Sequence, residues 1–367
     1  MATDMRKARA AKLEEKINRD YGAQSAVAGH SNRKQNFYST GITAVDYMLG
    51  TWGLPDSGFV EVFGPPGLGK TTIFGFGIMR SVQQAGGLTA FVATEPDVDE
   101  DWMERFGVNL DYNVIMRPDT SEEAFEMTKN LIYDKDVDYI VFDSLGGASS
   151  AKEQDSDKPQ AYGNSALNTW GVNRIAAKSY KNRVGVMFIN QVRDKVAGKM
   201  TVLDSPGGHA LKHAFKIRIQ VKPGKDQFTI KVPSAESAPG SPKTDKMMVG
   251  REIRAAFKKN KAAEELGKQA VFKFYSVKTN EFPFGVDVAD DVLNVAKFTG
   301  IVTGSGWLVH PSFPGGKING RNKAVEWLRE NPEAIDTLRG EIHKVMVTRE
   351  ALEAEKKVEV VDKIEEA

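Results

Sequence analysis

Eight consecutive residues, Gly64-Pro65-Pro66-Gly67-Leu68-Gly69-Lys70-Thr71, match the pattern G-x-x-x-x-G-K-[ST]. Glycines at these spacings let backbone N–H groups turn toward a phosphate, and a helix opening at the lysine aims its positive end at the same anion. Lys70 is placed to reach β- and γ-phosphates, and Thr71, with Thr72 behind it, to meet a Mg²⁺ ion. Three further polar groups close apolar runs. Asp143, followed by Ser144, ends YIVFD. A carboxylate at the C-terminal end of a central strand lies where ligands of open α/β sheets bind, and it suits either Mg²⁺ or the cap of a following helix. Glu95 ends LTAFVATE and is able to orient an attacking water, or to serve as a cap or ion-pair partner. Asn190-Gln191 end VGVMFINQ, either as amides facing a γ-phosphate or as a plain polar strand end.

These residues need a rigid frame. FVEVFG (59–64) reads as a strand before the loop, and Lys70 to about Ala85 as one helix after it. Further strand patterns at 88–95, 113–117, 139–144 and 184–191 alternate with helical ones, such as 121–134. That alternation predicts an α/β fold with a mostly parallel central sheet covered on both faces. After 214 the runs FKIRIQVK (215–222), QFTIKV (227–232), 250–258 and 270–277 read as strands. The stretch 233–248, rich in Ser, Pro, Gly and Lys, reads as an exposed loop. A small α/β unit begins near 286, with helices at 289–297, at 323–331 and to about 346. The expected division is an N-terminal helix and linker at 1–36, a core at 37–285, a C-terminal domain at 286–346 and an acidic tail at 347–367.

Composition limits the alternatives. The 367 residues are 41% hydrophobic and 27% charged, enough for a large core. The absence of cysteine excludes disulfides, thiolate zinc sites and cysteine nucleophiles, and fits a cytoplasmic setting. No apolar run approaches the roughly 20 residues of a membrane helix, and the charged N-terminus has no secretory h-region. A net charge of +1 confines any nucleic-acid site to a local patch. Residues 1–36 carry eight basic and four acidic side chains, and 350–367 carry seven acidic and three basic. Such ends serve contacts between copies or competition with a polyanion, or are simply solvated.

Taken in order, FYSTGITAVDYMLGTWGLPDSG, the phosphate loop, ATEPDVDEDW, IVFDSLG, FINQVRDK, PGGHALK, KKNKAA and GWL…GRNKAVEWLRENPE resemble the bacterial RecA recombinase family, including its phage-encoded versions. The resemblance runs from about residue 8 to 345. It implies a RecA-like P-loop ATPase core that forms helical filaments on single-stranded DNA, with ATP and Mg²⁺ between subunits. It also implies exchange of the bound strand with homologous double-stranded DNA, and proteins that load the filament or coat single strands. Carried over residue by residue, Lys70, Thr71 and Asp143 hold phosphate and Mg²⁺, and Glu95 is the catalytic base. Gln191 links the γ-phosphate to the second DNA loop, Trp102 stacks on adenine and Asp99 meets the base edge. Lys259 and Lys261 reach the neighbour's γ-phosphate. Without the resemblance, a core aromatic is the other reading of Trp102, and KKNK is more often a solvated charge run.

On the DNA side the resemblance implies Arg193, Lys195, Gly207 and Gly208 as backbone contacts, with Val196 or Met200 wedged between bases. Tyr162-Gly163 would belong to the first DNA loop, and Arg174 to a DNA-contacting helix or to an ordinary surface. Arg218, Lys222, Lys225 and Arg254 are candidates for a second, duplex-holding site, although Ala256 stands where a basic residue is common. A filament loader that does not exchange strands, or a hexameric helicase, are the other readings of such a core.

Overall fold

The computed structural model describes residues 2–22, 26, 35–95, 98–147, 149–150, 163–197, 200–205, 209–233 and 244–365. The chain opens with α1 (Ala2–Tyr21), β1 (Phe37–Tyr38), α2 (Thr43–Met48), β2 (Leu54–Pro55) and β3 (Gly58–Gly64). A π-helical turn (Lys70–Gly75) leads into α3 (Phe76–Gln84), followed by β4 (Thr89–Ala93), α4 (Glu100–Arg105), β5 (Asn113–Met116), α5 (Ser121–Asp134) and β6 (Tyr139–Asp143). Next come α6 (Gly163–Asn182), β7 (Gly185–Gln191), β8 (Arg193–Ala197), β9 (Met200–Asp204) and α7 (His209–Ala214). The second half holds β10 (Ile217–Pro233), β11 (Thr244–Asn260), β12 (Gln269–Tyr275), β13 (Gly285–Val286) and α8 (Val288–Phe298). It ends with β14 (Trp307–Val309), β15 (Lys317–Asn319), α9 (Arg321–Glu330) and α10 (Pro332–Glu365).

Among the described residues the main sheet has the order β13-β12-β11-β10-β3-β7-β6-β4-β5. The run from β10 to β5 is parallel, and β10 through β13 pair antiparallel. The central strands are continuous apolar runs because both faces are covered. On one face Phe125, Phe142, Phe188 and Phe59 form a chain of ring contacts with centroids 5.2–5.4 Å apart, beneath α5, α6 and α7. The other face packs on α2 and α3, and its apolar cluster continues through α8 and α9 into the first turns of α10.

Two sequence expectations change. The helix expected from Lys70 is split, with its first six residues in the wider π turn. The loop expected at 233–248 is partly strand: Thr229–Pro233 pair with Thr244–Met248, so β10 and β11 form one long hairpin. Composition misled there, because cross-strand hydrogen bonds supply what the Lys- and Met-containing sequence does not advertise. The last helix also runs on from 346 to Glu365. Among its described side chains α1 has none buried, and Met5, Leu13 and Tyr21 are well exposed.

Candidate nucleotide and DNA sites

The phosphate loop is held between β3 and the π turn. Gly67 and Gly69 have φ of +67° and +69°, a conformation that side chains with Cβ resist, and at Gly64 a Cβ would sit 2.3 Å from the Val221 carbonyl oxygen. Both requirements explain glycine at those positions. A cavity of about 190 Å³ opens above the loop, lined by Pro66, Gly67, Gly69 and Lys70–Thr72 on one side and by Glu95, Asp143, Ser144, Ile189 and Gln191 on the other. The parallel register explains this convergence: β3, β7, β6 and β4 all end at the same edge.

Thr71 Oγ1 donates to Asp143 Oδ2 at 2.5 Å. Burial pushes the Asp143 carboxyl up to about 6, and Glu95 adds to this, while the Thr71 hydroxyl and Lys70 oppose it. Lys70 Nζ donates to the Pro65 carbonyl at 2.9 Å, and burial holds its ammonium below the usual range against the pull of Asp143 and Glu95. A buried cation hydrogen-bonded to a carbonyl, beside the backbone N–H groups of a glycine-rich loop, is a site prepared for an anion. Glu95 Oε1 accepts from Ser144 Oγ at 2.8 Å and from Gln191 Nε2 at 3.3 Å. Two groups from neighbouring strand ends thus share one carboxylate oxygen. The paired oxygens of Thr71 and Asp143 fit Mg²⁺, which takes one or two protein oxygens and completes its shell with water and phosphate. No cluster of three or more His, Cys, Asp or Glu side chains that would suit another metal exists among the described residues.

Beside this pocket, Asp99 caps α4 by accepting from the Trp102 backbone N–H at 2.9 Å. One of its carboxylate oxygens is therefore already engaged. Trp102 Nε1 donates to Thr72 Oγ1 at 3.2 Å, which seats the indole next to the phosphate loop. Phe106 and Phe284 meet the indole edge to face, and the Arg105 guanidinium lies 4.9 Å from its ring centre. Sequence reading missed Arg105 and Phe284 because they come from two segments nearly 180 positions apart. It also missed that Trp102 serves the core and the pocket margin together.

Lys259 is level with Arg218 in the β10–β11 register, and Arg218 with Glu61 on β3. Its Nζ donates to the carbonyls of Lys212 and His213 at 2.8 and 3.0 Å, at the C-terminal end of α7. Burial, then Lys261 and Arg218, holds this ammonium low. Lys261 lies just past the end of β11, with its side chain exposed. Neither lysine lines the chain's own phosphate cavity.

After Gln191 the chain forms a two-stranded antiparallel ribbon. Arg193 pairs with Asp204, Lys195 with Val202, Val196 with Thr201 and Ala197 with Met200. Gly163 begins α6, and Tyr162, Gly207 and Gly208 lie outside the described residues. Arg174, on α6, faces outward with Glu126 at 3.5 Å and the Trp170 ring at 5.0 Å. Arg218 departs from expectation. It is buried and bound to Glu61, and cannot serve an exposed duplex site. Lys222 and Arg254 stand directly opposite one another on β10 and β11; burial, then Lys258 and Arg254, holds the Lys222 ammonium low.

The RecA N-terminal domain model matches residues 7–276. The chain belongs to the RecA family. Protein RecA of Thermus thermophilus is 31% identical over 332 residues, covering 89% of this chain and 91% of the relative. Protein RecA of Streptococcus parasanguinis is 28% identical over 358 residues, 96% of this chain and 87% of the relative. Protein RecA of Pseudomonas fluorescens is 28% identical over 378 residues, 100% of this chain and 99% of the relative. This RecA-family chain is accordingly a recombinase and a DNA-dependent ATPase that binds nucleotide and DNA and forms oligomers. No helix among the described residues is long and apolar enough to cross a membrane.

Proposed function

We propose that the chain binds ATP with Mg²⁺ in the phosphate-loop cavity, assembles as a helical filament on single-stranded DNA, and exchanges that strand with a homologous duplex during recombination and repair in the cytoplasm. The observation that carries this reading is the shared carboxylate of Glu95. Gln191, the residue from which the ribbon departs, holds it at one end of a pocket whose other end is Lys70 and Thr71.

In this reading Gly64–Thr72 enclose the phosphates, and Trp102 with Asp99 borders the adenine. Thr71 and Asp143 hold Mg²⁺, which supplies charge neutralisation at the phosphates when bound. Glu95 serves as general base for the attacking water, kept in place by Ser144. Gln191 exchanges its bond to Glu95 for one to the γ-phosphate, and so reports nucleotide state to the 193–204 ribbon. Arg193, Lys195, Gly207, Gly208 and Arg174 contact DNA backbone, Val196 or Met200 separates bases, and Tyr162-Gly163 contributes from the first loop. Lys259 and Lys261 complete the neighbour's site, and their absence from the lining of their own supports this. The segments 1–36, 37–285, 286–346 and 347–367 act as oligomerisation arm, motor, accessory domain and tail; loader or single-strand-binding proteins are further partners.

ATP turnover measured with and without single-stranded DNA, beside a homologous strand-exchange assay, tests the proposal. DNA-stimulated turnover with joint molecules is expected. Stimulated turnover without exchange would leave a loader or helicase-like motor in its place.

A further inference from the structure

The face of β3 covered by α6 and α7 is apolar except at one position. Glu61 lies there between Phe59 and Phe63, fully buried. A carboxylate in such a layer must be paired, and a fully buried ion pair is seldom more stable than the apolar residues that could replace it. Its partners show what it does. Arg218 Nε donates to Glu61 Oε2 at 2.5 Å, and Arg218 Nη2 donates to Ser205 Oγ at 2.8 Å. Asn190 Nδ2 donates to the other oxygen, Glu61 Oε1, at 3.0 Å, while Asn190 Oδ1 accepts from the Gln191 backbone N–H at 2.9 Å. The guanidinium is also seated over the Phe63 ring at 4.8 Å, which limits how it can swing.

We infer that Glu61 and Arg218 form a second connection between the nucleotide pocket and the ribbon, positioning the ribbon's far end. Gln191 precedes the first ribbon strand, and Ser205 follows the last. Both ends are thus tied to one carboxylate, through Asn190 on one side and Arg218 on the other. A shift of the Gln191 backbone drags the Asn190 amide, alters its bond to Glu61, and so reaches Ser205 through Arg218. Because the pair is desolvated, its geometry is tightly held and the displacement is not absorbed by water. Glu61 and Arg218 touch neither nucleotide nor DNA in this scheme; they are positioning residues. The inference rests on the reading of the ribbon as a DNA-binding element coupled to nucleotide.

The test is a coupling ratio: the Kd for a labelled single-stranded oligonucleotide with ADP, divided by its Kd with a non-hydrolysable ATP analogue, in the full chain. Glu61→Gln keeps the shape and removes the charge. It is expected to lower the ratio by about tenfold, within the usual range of allosteric coupling, without weakening binding of the analogue itself. Ser205→Ala leaves the buried pair intact and is expected to lower the ratio by about threefold, since it removes one hydrogen bond of the network and leaves the rest. Gln191→Ala is the control. If it collapses the ratio while Glu61→Gln and Ser205→Ala leave it at the wild-type value, the second connection is overturned and the near end alone carries the signal. If all three leave the ratio unchanged, the ribbon reading itself fails and the inference falls with it. Should Glu61→Gln lose its circular-dichroism signal, Ser205→Ala decides.

Discussion

Replacing Asp291 by asparagine is expected to stabilise the protein at pH 8 and to do little at pH 5.5. Asp291 sits in the first turn of α8 and is 1% exposed. Its carboxyl accepts from the Thr43 and Ala44 backbone N–H groups at 2.6 and 3.2 Å, joining the C-terminal helices to the start of α2. Burial pushes this carboxyl from its ordinary 3.8 up to about 7; buried Asp46 adds to the rise, and the two backbone donors and Arg339 oppose it. A carboxyl whose folded value is raised stabilises the fold while protonated, and that stability is lost as pH climbs from the unfolded value through the folded one. Over the window from pH 4 to 7, linkage makes the cost about 2 kcal/mol by pH 5.5 and about 4 kcal/mol at pH 8. Asparagine escapes this cost, but its NH₂ stands where a carboxyl oxygen accepted one of the two backbone N–H groups, a loss of about 1–2 kcal/mol. The net gain is then about 2 kcal/mol at pH 8 and close to zero at pH 5.5. Denaturant unfolding of both proteins at the two pH values measures it, and the difference between them isolates Asp291 from Asp46. A variant less stable than wild type by the same amount at both pH values would show that the α2 N–H groups outweigh burial and keep Asp291 ionised.

Three further outcomes are expected. Lys70→Ala should cut ATP turnover by at least about 100-fold, as loss of a charge-stabilising group does, with the circular-dichroism spectrum retained; normal turnover would refute the phosphate site. Lys259→Ala with Lys261→Ala should leave nucleotide binding by the isolated subunit in place and abolish DNA-stimulated hydrolysis, measured by dye-linked binding and phosphate release. Unchanged stimulation would remove both lysines from the neighbour's site. Deleting residues 1–36 should weaken self-association, because Met5 and Leu13 of α1 are largely exposed apolar side chains on a basic helix. Long filaments of the truncated chain under negative stain would count against that.

The phosphate loop was legible from eight residues because its chemistry is local. Backbone N–H groups, two left-handed glycines and a following helix need no distant partner. Asp143, Glu95 and Gln191 were legible for a related reason: parallel strands that start in register end at one edge, so polar strand ends must meet. Family resemblance added Lys259, Lys261 and Trp102, whose residue types alone read as surface charge and core. The strand at 244–248 was not legible, since Ser-, Pro- and Gly-rich composition speaks of turns, and a strand's partner is a tertiary fact. Nor was the assignment of Arg218. As a sequence position it is one cation among several on a strand; its burial follows from β10 lying beside β3 at the height of Glu61.

The sequence by itself therefore determined the nucleotide chemistry, the α/β alternation and the family, all written in short spans of neighbouring residues. Tertiary structure alone decided which polar groups share a partner. Gln191 and Ser144 meet on Glu95, Asn190 and Arg218 on Glu61, and the N–H groups of α2 on Asp291. The reason is physical. A buried carboxylate takes whatever donors the strand order and helix packing bring within 3 Å or so, and strand order is set by the packing of the whole sheet.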